Sequence, residues 1–112
     1  MSEDLSAEDA KLLTLARGAR GRAGVAGGAA VRDETGRTYS GADVSLPMLD
    51  LSALDLAVAQ AVAAGARGAE AAVVVGSGPS DHDLEVLRYL GGPGVPVWAC
   101  DQDGVVRARM ST

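Results

Sequence analysis

Apolar residues at Leu12, Leu13, Leu15, Ala16 and Ala19 fall at helical spacing behind Ser6-Ala7-Glu8-Asp9, which has the form of a capping box. This pattern predicts a first helix from about Ala7 to Arg20. Val25 to Arg32 and Thr38 to Val44 read as two short strands joined by a tight turn through Asp33-Glu34-Thr35-Gly36. Residues 51–64, LSALDLAVAQAVAA, make an alanine-rich helix that ends at Gly65, its apolar surface interrupted only by Ser52, Asp55 and Gln60. Ala71 to Val75 is a compact run of the kind found in strands covered on both faces, and it ends in Gly76-Ser77-Gly78-Pro79. A third helix is expected from Ser80 to Leu90, stopped by Gly91-Gly92-Pro93. Val95 to Cys100 and Val105 to Met110 then flank Asp101-Gln102-Asp103-Gly104 as a second hairpin.

The order α, β-β, α, β, α, β-β implies an α/β fold: a three-layer α/β/α sandwich around a mixed five-stranded sheet, formed by one domain over residues 1–112. A helix apolar nearly all round needs cover on more than one side. For residues 51–64 in so short a chain, that cover is the sheet on one face and another subunit on the other, so a homo-oligomer is expected.

Composition narrows the function classes. The net charge is −5 and Lys11 is the sole lysine, which argues against a surface that neutralises several phosphates of a nucleic acid at once. Arg17, Arg20 and Arg22 cluster near the end of the first helix, where cations complement the helix dipole. With no Phe, one Trp and two Tyr, a stacking platform for nucleobases cannot be assembled. Cys100 is the single cysteine, so no intramolecular disulfide forms, which fits a reducing cytoplasm. Met1-Ser2-Glu3-Asp4 is acidic where a secretory signal is basic, and no apolar run approaches the roughly 20 residues that span a bilayer. The expectation is a cytoplasmic protein without nucleic-acid or membrane partners.

Gly28-Ala29-Ala30-Val31, the turn through Gly36 and Tyr39-Ser40-Gly41-Ala42-Asp43-Val44 resemble the paired opening strands of the cytidine deaminases. The helix, strand and helix that follow come in the family's order at nearly its spacing. The resemblance implies a zinc ion where the N-termini of two helices meet, held by a Cys-Ala-Glu motif (His for Cys in related enzymes) and a Pro-Cys-x-x-Cys motif, with the Glu shuttling protons. Counted back from Gly65, the first motif falls on Ser52-Ala53-Leu54, and the second falls on Pro79-Ser80-Asp81-His82-Asp83. The former zinc-motif positions are therefore Ser52, Leu54, Ser80 and Asp83. Thiolates select zinc, whereas serine hydroxyls do not ionise near neutrality. Without the metal, a water keeps a pKa far above the roughly 7 of a zinc-activated one. The Asn-x-Glu that grips ribose in the family corresponds to Asp43 and Ser45.

Ser52-Ala53-Leu54-Asp55 and Ser80-Asp81-His82-Asp83 are both Ser-x-x-Asp, so each helix is expected to cap its own free N–H groups where the family places zinc. A residual pocket formed by Asp43, Ser45, Asp50, Asp81 and His82 is the sharper reading, in which Asp50, Asp81, His82 and Asp83 gather to bind a harder metal or do acid-base chemistry. Gly76-Ser77-Gly78 lacks the Lys-Ser/Thr ending of a P-loop, and Asp81 and Asp83 would repel a phosphate there. Asp101-Gln102-Asp103-Gly104 has no ligating Glu at the twelfth loop position, so it reads as a turn rather than a calcium loop. Trp98 is read as core or interface. The sequence thus points to a non-catalytic cytidine deaminase-like protein, without cofactor or metal, acting as a dimeric or tetrameric scaffold or as a module for a protein partner. Hydrolytic deamination of a cytidine-like nucleoside and nucleoside sensing are the alternatives.

Overall fold

The computed structural model describes residues 5–112, so the reading of Met1-Ser2-Glu3-Asp4 lies outside the described residues. Helix α1 spans Ala7–Ala23, with Ser6 as N-cap accepting from the Asp9 N–H at 3.1 Å. It runs three residues past the predicted end because Gly24, at φ 69°, supplies the left-handed stop and its N–H donates to the Arg20 carbonyl. The chain then forms β1 (Gly28–Asp33) and β2 (Thr38–Ala42). The expected second strand ends early, at Ala42. Instead of continuing, Val44–Leu46 (β3) and Leu49–Leu51 (β4) form a separate two-stranded hairpin turned by Pro47 and Met48. Helix α2 (Ala53–Ala63), β5 (Ala69–Val75), α3 (Asp81–Gly91), β6 (Pro96–Cys100) and β7 (Val106–Ser111) complete the chain.

The main sheet has five strands in the order β2-β1-β5-β6-β7; only β5 and β6 are parallel, so the sheet is mixed as expected. Helix α1 covers one face, where Leu12 and Ala16 pack on Ala30, Val73, Val75 and Trp98. Helices α2 and α3 cover the other, with Leu54, Ala57, Ala61 and Leu87 on Ala29, Val31, Val74 and Val97. Strand β5 is buried on both faces because its alternate valines enter different cores. Each fully buried valine contributes about 1.5 kcal/mol or more. Two glycines set the layer spacing: a Cβ at Gly28 would overlap the Ala16 carbonyl of α1, and one at Gly41 would press on the Ala53 carbonyl of α2. Both helices therefore lie backbone-close on the β1–β2 pair.

Asp9 ties α1 to the sheet. Its Oδ2 accepts from the Trp98 indole N–H at 3.1 Å, while Arg32 Nη2 lies 3.1 Å from Oδ1 as a charge contact without hydrogen-bond alignment. Arg32 Nε donates to Glu70 at 2.9 Å, and the Arg109 guanidinium sits 5.5 Å from the Trp98 ring centroid. Trp98 is 7% exposed, a core residue. Among the described residues no helix is long and apolar enough to cross a membrane.

The β1–β2 turn is organised by buried Asp33, whose carboxylate accepts from the Thr35 N–H and hydroxyl, the Arg37 N–H and the Tyr39 hydroxyl. Burial pushes this carboxyl upward, but the Thr35 and Tyr39 hydroxyls and the turn N–H groups outweigh it and hold its pKa below the ordinary value. A depressed folded-state pKa gives stability that is present above the unfolded value of roughly 3.9 and lost as pH falls through the folded one. Asp33→Ala is therefore expected to cost about 2 kcal/mol at neutral pH, with the gap to the parent narrowing in acid. Urea denaturation from about pH 7 to about pH 3 checks this, and a gap independent of pH would contradict the assignment.

Candidate functional site

Helices α2 and α3 begin side by side at the C-terminal end of β5, and their first turns meet. Each start is a complete capping box. Ser52 Oγ accepts from the Asp55 N–H at 3.0 Å and Asp55 Oδ2 accepts from the Ser52 N–H at 3.3 Å; Ser80 and Asp83 repeat the arrangement at 3.1 and 3.1 Å. The sequence expected these caps, but not the bond between them. Ser52 Oγ–H donates to Asp83 Oδ1 at 2.5 Å, joining the two helix starts through residues 31 positions apart. Asp83 is buried, so its carboxylate lies among charge-assisted donors rather than in water. A second carboxylate from outside, Asp43, accepts from the Ala53 N–H at 3.0 Å. Gly27 makes room for it, since a Cβ there would overlap the Asp43 carboxylate.

A cavity of about 230 Å³ opens at this junction, lined among others by Asp43, Ser52, Leu54, Ser77, Ser80 and Asp83. The four positions onto which the resemblance maps the zinc motifs, Ser52, Leu54, Ser80 and Asp83, border one space together with Asp43. Ser45, Asp50, Asp81 and His82 are not among its lining residues. Ser45 and Asp50 face each other across the β3–β4 hairpin. His82 Nε2 lies 3.2 Å from Asp55 Oδ1 on the outer side of the helix pair, with the imidazole 70% exposed. Gly27 was missed by sequence reasoning, and Ser77 was weighed only as part of a phosphate loop. Nothing local places either one beside Ser52, because only the folded chain brings their loops to the helix starts.

The geometry is that of an α/β/α sandwich with a polar cavity between two capped helix starts at the strand ends. The chain belongs to the cytidine deaminase-like family, whose model matches residues 5–104. Among solved structures it is similar to the cytidine deaminase from Burkholderia pseudomallei, at 27% identity and TM-score 0.81, covering 96% of this chain and 93% of that one. The cytidine deaminases from Mycobacterium leprae (19% identity, TM-score 0.75, 96% and 94% covered) and Mycobacterium tuberculosis (23%, 0.72, 82% and 85%) share the fold. No curated protein sequence matches the chain significantly.

The donors at the junction do not suit the zinc ion that the family implies. Ser52 spends its proton on Asp83 and a lone pair on the Asp55 N–H, and Ser80 Oγ is held by the Asp83 N–H. Among the described residues, no group of three or more His, Cys, Asp or Glu could hold a metal ion. Cys100 points into the core beneath α1, on the opposite face of the sheet, where burial and the neighbouring Asp101 push its thiol pKa up.

The bond between the helix starts is testable by a double-mutant cycle. Ser52→Ala alone is expected to cost about 1–2 kcal/mol, and Asp83→Ala about 3 kcal/mol because it strips both acceptors from the junction. Together they should cost about 1 kcal/mol less than the sum. Additive losses in urea denaturation would mean that each helix is capped independently.

Proposed function

We propose that this chain is a non-catalytic member of the cytidine deaminase-like family, used as an oligomeric scaffold or partner-binding module in the cytoplasm. The Ser52–Asp83 hydrogen bond carries this reading. In that bond, a hydroxyl and a carboxylate join the two helix starts at the positions where the family resemblance implies metal-binding side chains. Leu54 stands where the resemblance implies the proton-shuttling Glu, and an aliphatic chain neither takes nor returns a proton. A water in this cavity meets carboxylates that already accept from the helix starts, so no group there lowers its pKa toward neutrality. The outer face of α2 supports the oligomeric part of the reading: Ala59, Val62 and Ala63 are exposed and carry no charge.

The persistence of a polar cavity favours a second reading, a sensor that binds a nucleoside-type ligand without converting it. A ligand present at 100 times its dissociation constant would stabilise the protein by about 2.7 kcal/mol, a shift readable in a thermal screen.

Metal analysis of protein purified without chelator, combined with an assay of uridine formation from cytidine with and without added zinc, tests the leading proposal. Substoichiometric zinc and no uridine are expected. One zinc per chain together with turnover would instead make this protein a deaminase with an unforeseen ligand set.

A further inference from the structure

The β3–β4 hairpin is an amphipathic ribbon. Val44, Leu46, Leu49 and Leu51 alternate onto one face, paired Val44 with Leu51 and Leu46 with Leu49, while Ser45 and Asp50 share the other. In a single chain the apolar face lacks cover at its outer end, where Leu46 is 58% and Leu49 is 49% exposed and Met48 at the tip is 96% exposed. No fold requirement of one chain explains three large apolar side chains held in water on a hydrogen-bonded arm.

The chain also holds a receptor of matching chemistry. Between the C-terminal halves of α2 and α3 lies an open groove of about 560 Å³ with Val58 in its floor and Val62, Val86 and Leu90 in its walls. Tyr89, 88% exposed, joins it to the neighbouring cleft, and Arg67, Arg88 and Glu85 stand along the combined rim, which carries one net positive charge. The arm and the groove sit at opposite ends of α2, since Leu51 leads directly into the N-terminus and Val62 belongs to the last turn. An 11-residue helix is about 16 Å long, and a three-residue strand reaches about 10 Å. The arm of one molecule does not lie in that molecule's own groove.

Resting on the oligomeric part of the proposal above, we infer that the β3–β4 arm of one copy docks into the α2–α3 groove of a second copy. Its apolar face lies against Val58, Val62 and Tyr89, and Asp50, exposed on the opposite face, meets the rim arginines. Charge complementarity favours this occupant: the arm's one charge is acidic, the rim is net positive with Arg67 and Arg88 against Glu85, and the two arginines are long enough to close over Asp50. Reciprocal docking about a two-fold axis places two arm-groove contacts in one closed interface.

Sedimentation equilibrium of the full chain and of two surface variants, Met48→Asp in the arm and Val62→Glu in the groove, tests the inference. Both sites are exposed, so folding is retained, as circular dichroism would verify. Each variant alone should associate about 30-fold more weakly than the parent. An equimolar mixture should regain part of the affinity, because only the mixed pair keeps one intact arm in one intact groove. Asp50→Arg should weaken association and Arg67→Glu in the same chain should restore it. A parent dimer indifferent to Met48→Asp, or a mixture no tighter than its components, overturns the arm while leaving the oligomeric module standing. A parent that remains monomeric throughout the micromolar range removes both.

Discussion

Two helices that begin side by side bring together eight backbone N–H groups without helical partners and two partial positive charges. That junction tolerates only a filling that is negative and rich in acceptors, and Asp83 supplies it. One carboxylate oxygen takes the Ser52 hydroxyl and the other takes the Ser80 N–H, so a single buried anion serves both helix starts. Asp43 adds a second negative charge at the first residue of α2. The rest of the site follows from this arrangement. Hydroxyls and carboxylates that satisfy one another have little capacity left for a metal, and a cavity already furnished with anions at both helix starts disfavours a phosphate.

The same economy governs the packing. With no Phe in the sequence, the two cores are built mainly from alanine and valine, and they close because the helices approach the sheet at Gly28 and Gly41. A thin core of small residues places α2 near the sheet, and of its eleven residues Ala59, Gln60, Val62 and Ala63 are exposed on the outer face. Burial on one side and apolar exposure on the other are thus two results of one composition. They link the interior of the monomer to the surface available for association.

What was legible in the sequence was what is local. The Ser-x-x-Asp boxes at Ser52 and Ser80 lie within one helical turn each, and their chemistry is fixed by residue type and spacing. The bond from Ser52 to Asp83 was not legible, because it depends on how α2 and α3 lie on the sheet. Asp9 shows the same limit. It stands where a capping box would use its carboxylate, yet that group turns away to the Trp98 indole and Arg32, partners 89 and 23 positions distant. The β3–β4 hairpin is a different case. The alternation Val44-Ser45-Leu46 and Leu49-Asp50-Leu51 around Pro47-Met48 is written plainly in the sequence, but its ends merge into the flanking strand and helix patterns. Asp43 breaks the merger: its N–H closes the β1–β2 ladder on the Gly27 carbonyl while its side chain caps α2, so the pairing with β1 stops there.

Both sheet edges carry side chains that oppose strand pairing, in contrast to the helical layer and the arm. At the β2 edge the Gln60 side-chain amide donates to the Ser40 carbonyl at 2.7 Å, occupying an acceptor that an added strand would need. At the β7 edge Arg107 and Arg109 are exposed, and an antiparallel copy pairing there would bring like charges into register. Arg107 is further committed to Asp101, whose own carboxylate also receives the Val105 and Asp103 N–H groups of the turn. The outer strands thus carry devices against edge pairing. The groove between α2 and α3 and the β3–β4 arm carry none, and that contrast separates a surface shaped to stay apart from one left free to meet a partner.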